Sequence, residues 1–503
     1  MKQNAALRRL EVIDKELVLL SHILGVLTWD QEAVPPRGVE ERALQMGLLD
    51  RNMHELVASD EMGELLSDLG ASDGNEGGAT SLDDRSRGII RNYFRLWRRE
   101  RKLDSGFVQE FSETTGKAHQ VWVRARSENN FSHFEPVLTH IVDLVQQKAE
   151  AFGYNDDPYD ALLDVFEPGT TTAEVEKLFG VMKGDLLDIL KQIGEKEHID
   201  DTFLYNSYAQ DKQEFFAREV LDAMGFDWER GLTGLATHPY TISLGSDDIR
   251  ITTRYTEPSV TSPLFSTIHE GGHALYEMGA SNERTKGTCL ASGASLAFHE
   301  SQSRLWENMI GRSRGFWQHF FPKFKALFPT QLDHVTVQHF VAAINKVQPS
   351  SIRVNADEVT YGLHIILRFE LERELLAGTL AVRDLPGAWN EKMETLLGIR
   401  VEDDRVGVLQ DVHWAMGELG YFPTYALGNL YGAQIMDTLQ QEVDVGTVLS
   451  SGDFSPIRLW LDSHILQYGS MYPPKELLQK VTGAPLDTRF FKQYLTNKYV
   501  ESM

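Results

Sequence analysis

Apolar residues recur at three- and four-residue intervals along most of the chain. In "RLEVIDKELVLLSHILGVL" and "FEPVLTHIVDLVQQKAEAF" this spacing puts leucine, isoleucine and valine on one side of a helix, predicting amphipathic helices. The exception is "TISLGSDDIRITTRY", Thr241–Tyr255. There Ile249, Ile251, Thr253 and Tyr255 alternate with Arg250, Thr252 and Arg254, and Gly245-Ser246-Asp247 can turn the chain between two strands. The patterns predict a mainly α protein with a small β-ribbon near its middle. No fixed-period repeat is present. "GASDGNEGGATSLDD", Gly70–Asp84, reads as a flexible surface loop.

Length and charge narrow the picture. A chain of 503 residues has room for about three domains, or for one large helical body in two lobes. Its net charge of −25 argues against nucleic acid or an anionic membrane as a partner. The basic run "RNYFRLWRRERK", Arg91–Lys102, is therefore read as an amphipathic helix, with Tyr93, Phe94 and Trp97 inward and the arginines solvated. The single cysteine, Cys289, excludes an intrachain disulfide and fits a reducing compartment. The amino-terminal stretch lacks a signal-peptide core, and its longest apolar run is about 12 residues where a spanning helix needs about 20. A cytoplasmic protein is expected.

Candidate chemistry sits in "SPLFSTIHEGGHALYEMGAS". It reads as one helix, with Ser262 as cap, Pro263 in the first turn and Gly279 at the end. His269 and His273, four apart, share a face and can offer two nitrogens to one ion, with Glu270 beside them as a base. Gly271 and Gly272 each cost this helix about 1 kcal/mol against alanine, which suggests another demand such as close approach of backbone or substrate. A catalytic metal needs a third protein ligand. No histidine follows His273 before His299, so the ligand is sought in "SGASLAFHESQSRLWENMIGRS", where Glu300 is the choice. Glu307, seven residues on and on much the same face, competes with it.

These stretches, together with three more, give the chain a likeness. His269–His273 and His299-Glu300-Ser301-Gln302 occur in order with Asp248-Ile249-Arg250-Ile251-Thr252, Ile352-Arg353-Val354-Asn355-Ala356-Asp357 and Gly407-Val408-Leu409-Gln410-Asp411-Val412-His413-Trp414. In these motifs the chain resembles the carboxypeptidase Taq family of zinc metallocarboxypeptidases. Weaker likeness runs from "LTWDQEAVPPRG" through "DPYDALLDVFEPG" to "GYFPTYALGNLYGAQ". Two departures are His238-Pro239-Tyr240, where the family has phenylalanine third, and Gly287-Thr288-Cys289-Leu290, where it has proline in place of cysteine.

The resemblance implies one domain over residues 1–503, with two helical lobes around a deep groove that has zinc at its floor, and a homodimer. It implies removal of single residues, with broad specificity and reluctance toward proline, from peptides with a free C-terminal carboxylate. His269, His273 and Glu300 would hold zinc, and cobalt or manganese suit the same donors. Glu270 would take a proton from the activated water and pass it to the leaving amine. His413, Tyr421 and Tyr425 are the candidates for stabilising the oxyanion. Arg353 would bind the substrate carboxylate, the bland alternative being a helix-surface pair with Asp357. Asp248, Arg250 and Thr252 share a strand face and would line the groove, with Arg250 limiting substrate length. Gln302, Gln410 and Asp411 are expected near the ligands or along the groove. His238, His299 and Trp414 are expected to be structural. An oligopeptidase of similar architecture would share the zinc site, and a non-catalytic dimeric scaffold is the remaining alternative.

Overall fold

The computed structural model describes residues 2–31, 35–194, 199–255 and 259–501. Part of the "LTWDQEAVPPRG" likeness, residues 32–34, lies outside them. Helices account for 69% of the residues and there is one small sheet, so the class is mainly α, as the periodicity predicts. The chain divides into two compact units. The first comprises Met1–Arg101, Asp200–Ile344 and Ile435–Pro485; the second comprises Lys102–Ile199, Asn345–Gln434 and Leu486–Met503.

In the first unit, α1 (Lys2–Asp30), α2 (Val39–Val57) and α3 (Asp84–Glu100) come from the amino-terminal third. Asp83 caps α3 by accepting from the Ser86 amide, and α3 buries Ile89, Ile90, Tyr93 and Phe94 against Leu10, Ile13 and Leu66. Its arginines are not simply solvated: Arg91 is largely buried and donates to the Met471 carbonyl, Arg95 pairs with Glu76 at 3.0 Å, and Arg98 pairs with Asp73 at 2.9 Å. Both acids lie in the Gly70–Asp84 stretch, which folds into hydrogen-bonded turns tied to this helix.

The expected ribbon is a three-stranded mixed sheet. Strands β1 (Gly231–Leu235), β2 (Thr241–Gly245) and β3 (Asp248–Thr253) are ordered β1-β3-β2. The β2–β3 hairpin is the one the alternation predicts, antiparallel with Ile242 opposite Arg250. The additional strand β1 pairs parallel to β3, with Leu232 opposite Arg250. Its sequence, "GLTGL", carries two glycines and no alternation, so only the pairing with β3 makes it a strand. Ile249 and Ile251 of β3 are buried, and α4 (Thr261–Ala280) packs on the sheet. Pro263 lies in the first turn of α4 as expected, but Ser262 falls inside that turn rather than capping it; the cap position is Val260, which supplies no side-chain bond. α5 (Leu296–Arg304), capped by Ser295, follows and runs directly into a π-helical segment, Leu305–Gly311.

The second unit is built around α6 (Glu358–Leu376), which is buried except along a half-exposed face of Glu370, Arg373 and Glu374, and is capped by Asp357, whose carboxylate accepts from the Val359 and Thr360 amides. Helices Thr172–Ile193 and Leu385–Leu397 pack on it. A helix surface that is mainly apolar belongs in a core. His364, Arg368 and Glu372 are polar and yet 0% exposed there, and each needs a partner.

Candidate metal centre and arginine cluster

One turn of α4 presents His269 and His273 side by side, and Glu300 of α5 meets them. The Glu300 Oε2 atom is 3.5 Å from His269 Nε2 and 3.3 Å from His273 Nε2. The three ligand atoms lie within 4.8 Å of one another, so these residues could hold a metal ion. The donor set, two imidazole nitrogens and one carboxylate oxygen, is one that suits a catalytic zinc.

Gly272 makes the meeting possible. A Cβ there would stand 2.8 Å from the Gln302 carbonyl oxygen and 2.8 Å from Ser303 Cα, so α4 and α5 touch backbone to backbone. On another side, a Cβ on Gly271 would meet the tips of Leu221 and Met224. Ser303 then fixes Glu300, donating to its carbonyl and, at 3.0 Å, to Oε2.

The outer nitrogens of both histidines are engaged. His269 Nδ1 donates to Glu307 Oε2 at 3.0 Å. Glu307 thus contacts the far side of the ring from Glu300 and does not join the three-ligand group. His273 Nδ1 lies 2.6 Å from His299 Nδ1, and His299 Nε2 is 2.7 Å from Glu277 Oε1. With His273 Nε2 free to bind a metal, its Nδ1–H donates to His299, whose own Nε2–H donates to Glu277. Such outer bonds set the ring orientation and tautomer of metal-binding histidines. Arg304 joins both acids, donating from Nε to Glu300 Oε1 at 2.7 Å and from Nη1 to Glu307 at 3.3 Å; Arg312 donates to the other Glu307 oxygen.

These contacts set the charges. Burial opposes ionisation of Glu300, but Arg304 and the two histidines hold its carboxyl well below the usual range. Burial also opposes ionisation of Glu307, and His269, Arg304 and Arg312 override it. Burial lowers His273 to about 3, whereas for His269 the neighbouring Glu300 and Glu307 outweigh burial and raise it. Glu270 is 7% exposed, and burial raises its carboxyl. Its Oε2 accepts from the Thr241 hydroxyl at 2.7 Å, and that hydroxyl also lies 3.0 Å from the Glu270 carbonyl.

Two expected groove residues are placed otherwise. Gln302 is 1% exposed and donates to Ser301 Oγ; two residues beyond Glu300, it points into the packed interior instead of toward a substrate. Thr252 is 2% exposed, and its hydroxyl accepts from the Tyr240 amide, fastening the start of β2. Asp248 and Arg250 remain half-exposed and form a two-point pair, both bonds 2.7 Å, with the guanidinium over the Trp29 ring. His238, expected to be structural, is exposed. Cys289 is partly buried, and burial beside Asp14 pushes its thiol well up, leaving an unreactive thiol at neutral pH.

A second constellation forms within the second unit. Arg353 lies in a one-turn helix, Arg353–Asn355, and is 6% exposed. It does not pair with Asp357. Its Nε and Nη2 donate to Asp411 Oδ1 at 3.1 and 2.9 Å, and Nη1 donates to the Tyr361 hydroxyl at 2.9 Å. Arg368 takes the other oxygen of Asp411 at 2.7 Å, and Gln410 accepts from both the Arg353 amide and Arg368 Nη2. Burial works against the Asp411 charge, but the two guanidiniums hold its carboxyl far below the ordinary value. His413, Tyr421 and Tyr425 gather here too, with ring centres 5.3 Å (His413 to Tyr421) and 6.3 Å (His413 to Tyr425) apart. The Arg353 guanidinium lies 5.1 Å from the Tyr425 ring centre. Burial lowers His413 to about 4, so it is neutral at pH 7, and its Nδ1 is buried without a partner among the described residues.

Sequence reasoning missed Thr241, Glu277, Arg304, Tyr361, Arg368 and Glu372. Arg368 and Glu372 carried a usable signal: two charges four apart on the apolar side of "LHIILRFELERELL", opposite the face that Glu370, Arg373 and Glu374 share. Glu372 accepts from Tyr159 Oη, Trp414 Nε1 and the Gly420 amide, and so ties down both ends of the loop that follows His413.

Comparison with known proteins agrees with this geometry. A family model described as carboxypeptidase Taq (M32) metallopeptidase matches residues 9–499, and the chain belongs to that family of metallocarboxypeptidases. Thermostable carboxypeptidase 1 of Pyrococcus furiosus is 38% identical over 503 residues, covering 99% of each chain. The Thermus thermophilus protein of the same name is 39% identical, again covering 99% of each. A solved structure of Pyrococcus furiosus carboxypeptidase superposes with a TM-score of 0.94 at 38% identity, covering 98% of this chain and 99% of that one.

Proposed function

We propose that the protein is a zinc-dependent carboxypeptidase that releases single amino acids, with broad specificity, from peptides bearing a free C-terminal carboxylate. The observation that carries this reading is that the chain has both a three-ligand set next to a buried glutamate, in the first unit, and a buried arginine that keeps binding capacity, in the second. His269, His273 and Glu300 would hold the ion; cobalt or manganese would suit the same donors. When bound, zinc supplies Lewis acidity, lowering the pKa of water and polarising a carbonyl.

The chain's own groups do the rest. Thr241 occupies one oxygen of Glu270 and orients the other for proton transfer, from water and then to the leaving amine. Arg353 has five N–H donors, and Asp411 and Tyr361 use three, leaving one N–H on each Nη for a substrate carboxylate. Two guanidiniums share the single Asp411 carboxylate, so the cluster keeps a positive charge for that carboxylate to meet. Neutral His413 and the hydroxyls of Tyr421 and Tyr425 are donors for the developing oxyanion. We place the enzyme in the cytoplasm as a homodimer, on its lone cysteine and its family likeness.

The test compares an amino-blocked dipeptide with its C-terminal amide, on zinc-loaded enzyme with metal quantified in the same sample. Release of the last amino acid from the free acid, with loss of cleavage in the amide, is the expected outcome. Equal cleavage of both would replace this reading with that of an internally cutting oligopeptidase.

A further inference from the structure

A cleft of about 690 Å³ opens in the first unit beside the metal centre, a volume in the usual range for ligand pockets. Its walls come from α1, α2, α3, β2 and the carboxyl end of α4. Two of its lining residues touch the centre directly: Thr241 bonds Glu270, and His299 bonds His273. The cleft therefore begins where the reacting groups are.

Its electrostatics point one way. Asp50, Glu100 and Glu277 line it, Glu100 bonded at 2.8 Å to His54, another lining residue, and no lysine or arginine does. Glu277 is 7% exposed; its Oε1 accepts from Ser292 and His299, while Oε2 accepts from no described residue. Asp50, on α2, has no ion-pair or hydrogen-bond partner among the described residues. Burial lowers His22, another lining group, so at pH 7 it contributes no positive charge to offset these acids. Leu17, Val18, Val57 and Ile242 supply apolar wall between the carboxylates. Such a cleft repels the C-terminal carboxylate of a substrate and attracts an amine.

We infer that this cleft binds the part of the peptide on the amino side of the scissile bond, and that its acids select an ammonium group there, from either the free amino terminus or a lysine side chain. The inference rests on the carboxypeptidase reading, because it assigns the cleft to the end opposite the one Arg353 holds. It makes Asp50 a specificity-determining residue at the open side of the cleft.

The experiment measures KM and kcat of the zinc-loaded enzyme on tetrapeptides with the same C-terminal residue. One pair has a free or an acetylated amino terminus and no lysine; a second, acetylated pair carries lysine or norleucine two residues before the cleaved bond. At least one amine-bearing peptide should show a KM lower by roughly two- to fivefold, with kcat little changed. The pair that responds identifies the source of the amine. Asp50→Asn should remove most of the preference and Asp50→Lys should reverse it. Equal KM within both pairs, or a preference that survives Asp50→Lys, overturns the inference. The C-terminal amide of the free-amine peptide is the control: its cleavage would defeat the carboxypeptidase reading, whatever the amine pairs show.

Discussion

Glu270 is a buried carboxylate with one oxygen already spoken for. Thr241 holds Oε2, and burial keeps the group ready to accept a proton. Glu270→Gln preserves shape and removes proton acceptance. With metal content unchanged, because no ligand is altered, kcat should drop by about 10²–10⁴; metal analysis and steady-state kinetics on one preparation check both halves. At this scale the sequence was legible where spacing alone defines chemistry. His269 and His273 are four apart on one helix, and Glu300 stands where two helices must meet. Thr241 was not legible, since a threonine in a strand gives no sign of which carboxylate its hydroxyl will find. Sequence favoured Glu300 but kept Glu307 as a competitor, because both are on one face and only the tertiary contact decides which approaches the Nε2 atoms.

Two glycines in α4 illustrate what an element adds. From sequence they were a helix cost with an unstated return. In the fold they differ: Gly272 faces α5 backbone, whereas Gly271 faces the ends of two flexible side chains. Gly272→Ala should destabilise by about 1–3 kcal/mol through overpacking, less the roughly 1 kcal/mol that alanine returns to a helix. It should also weaken metal binding by pushing α5, and Glu300 with it, away from α4. Gly271→Ala should stay within about 1 kcal/mol of the parent and leave metal binding unchanged, because Leu221 and Met224 can shift. Denaturant unfolding and a zinc titration of both variants separate the two cases. The β2–β3 hairpin was readable because side-chain alternation is intrinsic to a half-buried strand; β1 was not, because its strand character is lent by β3. The π-helical segment after Arg304 likewise left no mark in the apolar spacing.

For the whole molecule, titration of buried acids governs how stability changes with pH. Glu372 is raised to about 7 by burial, against an ordinary 4.5, despite three donors. Below pH 4.5 it is protonated folded or unfolded and costs nothing. Between 4.5 and 7 the unfolded chain releases the proton while the folded chain keeps it, so stability falls as pH rises. Above pH 7 the accumulated loss is about 3 kcal/mol, at about 1.36 kcal/mol per pH unit. Glu372→Gln should flatten this slope, so that the gap in denaturation midpoint between pH 5 and pH 7.5 narrows relative to the parent. A midpoint gap equal to the parent's would show that Glu372 does not titrate in this range.

Arg304 has a consequence at this scale as well. By bonding Glu300 and Glu307 it closes a ring of contacts around His269 that consists of protein alone. The ligands are held in register by neighbours of opposite charge. A cation built into the protein would then share, with whatever metal the three ligands hold, the work of neutralising the two acids.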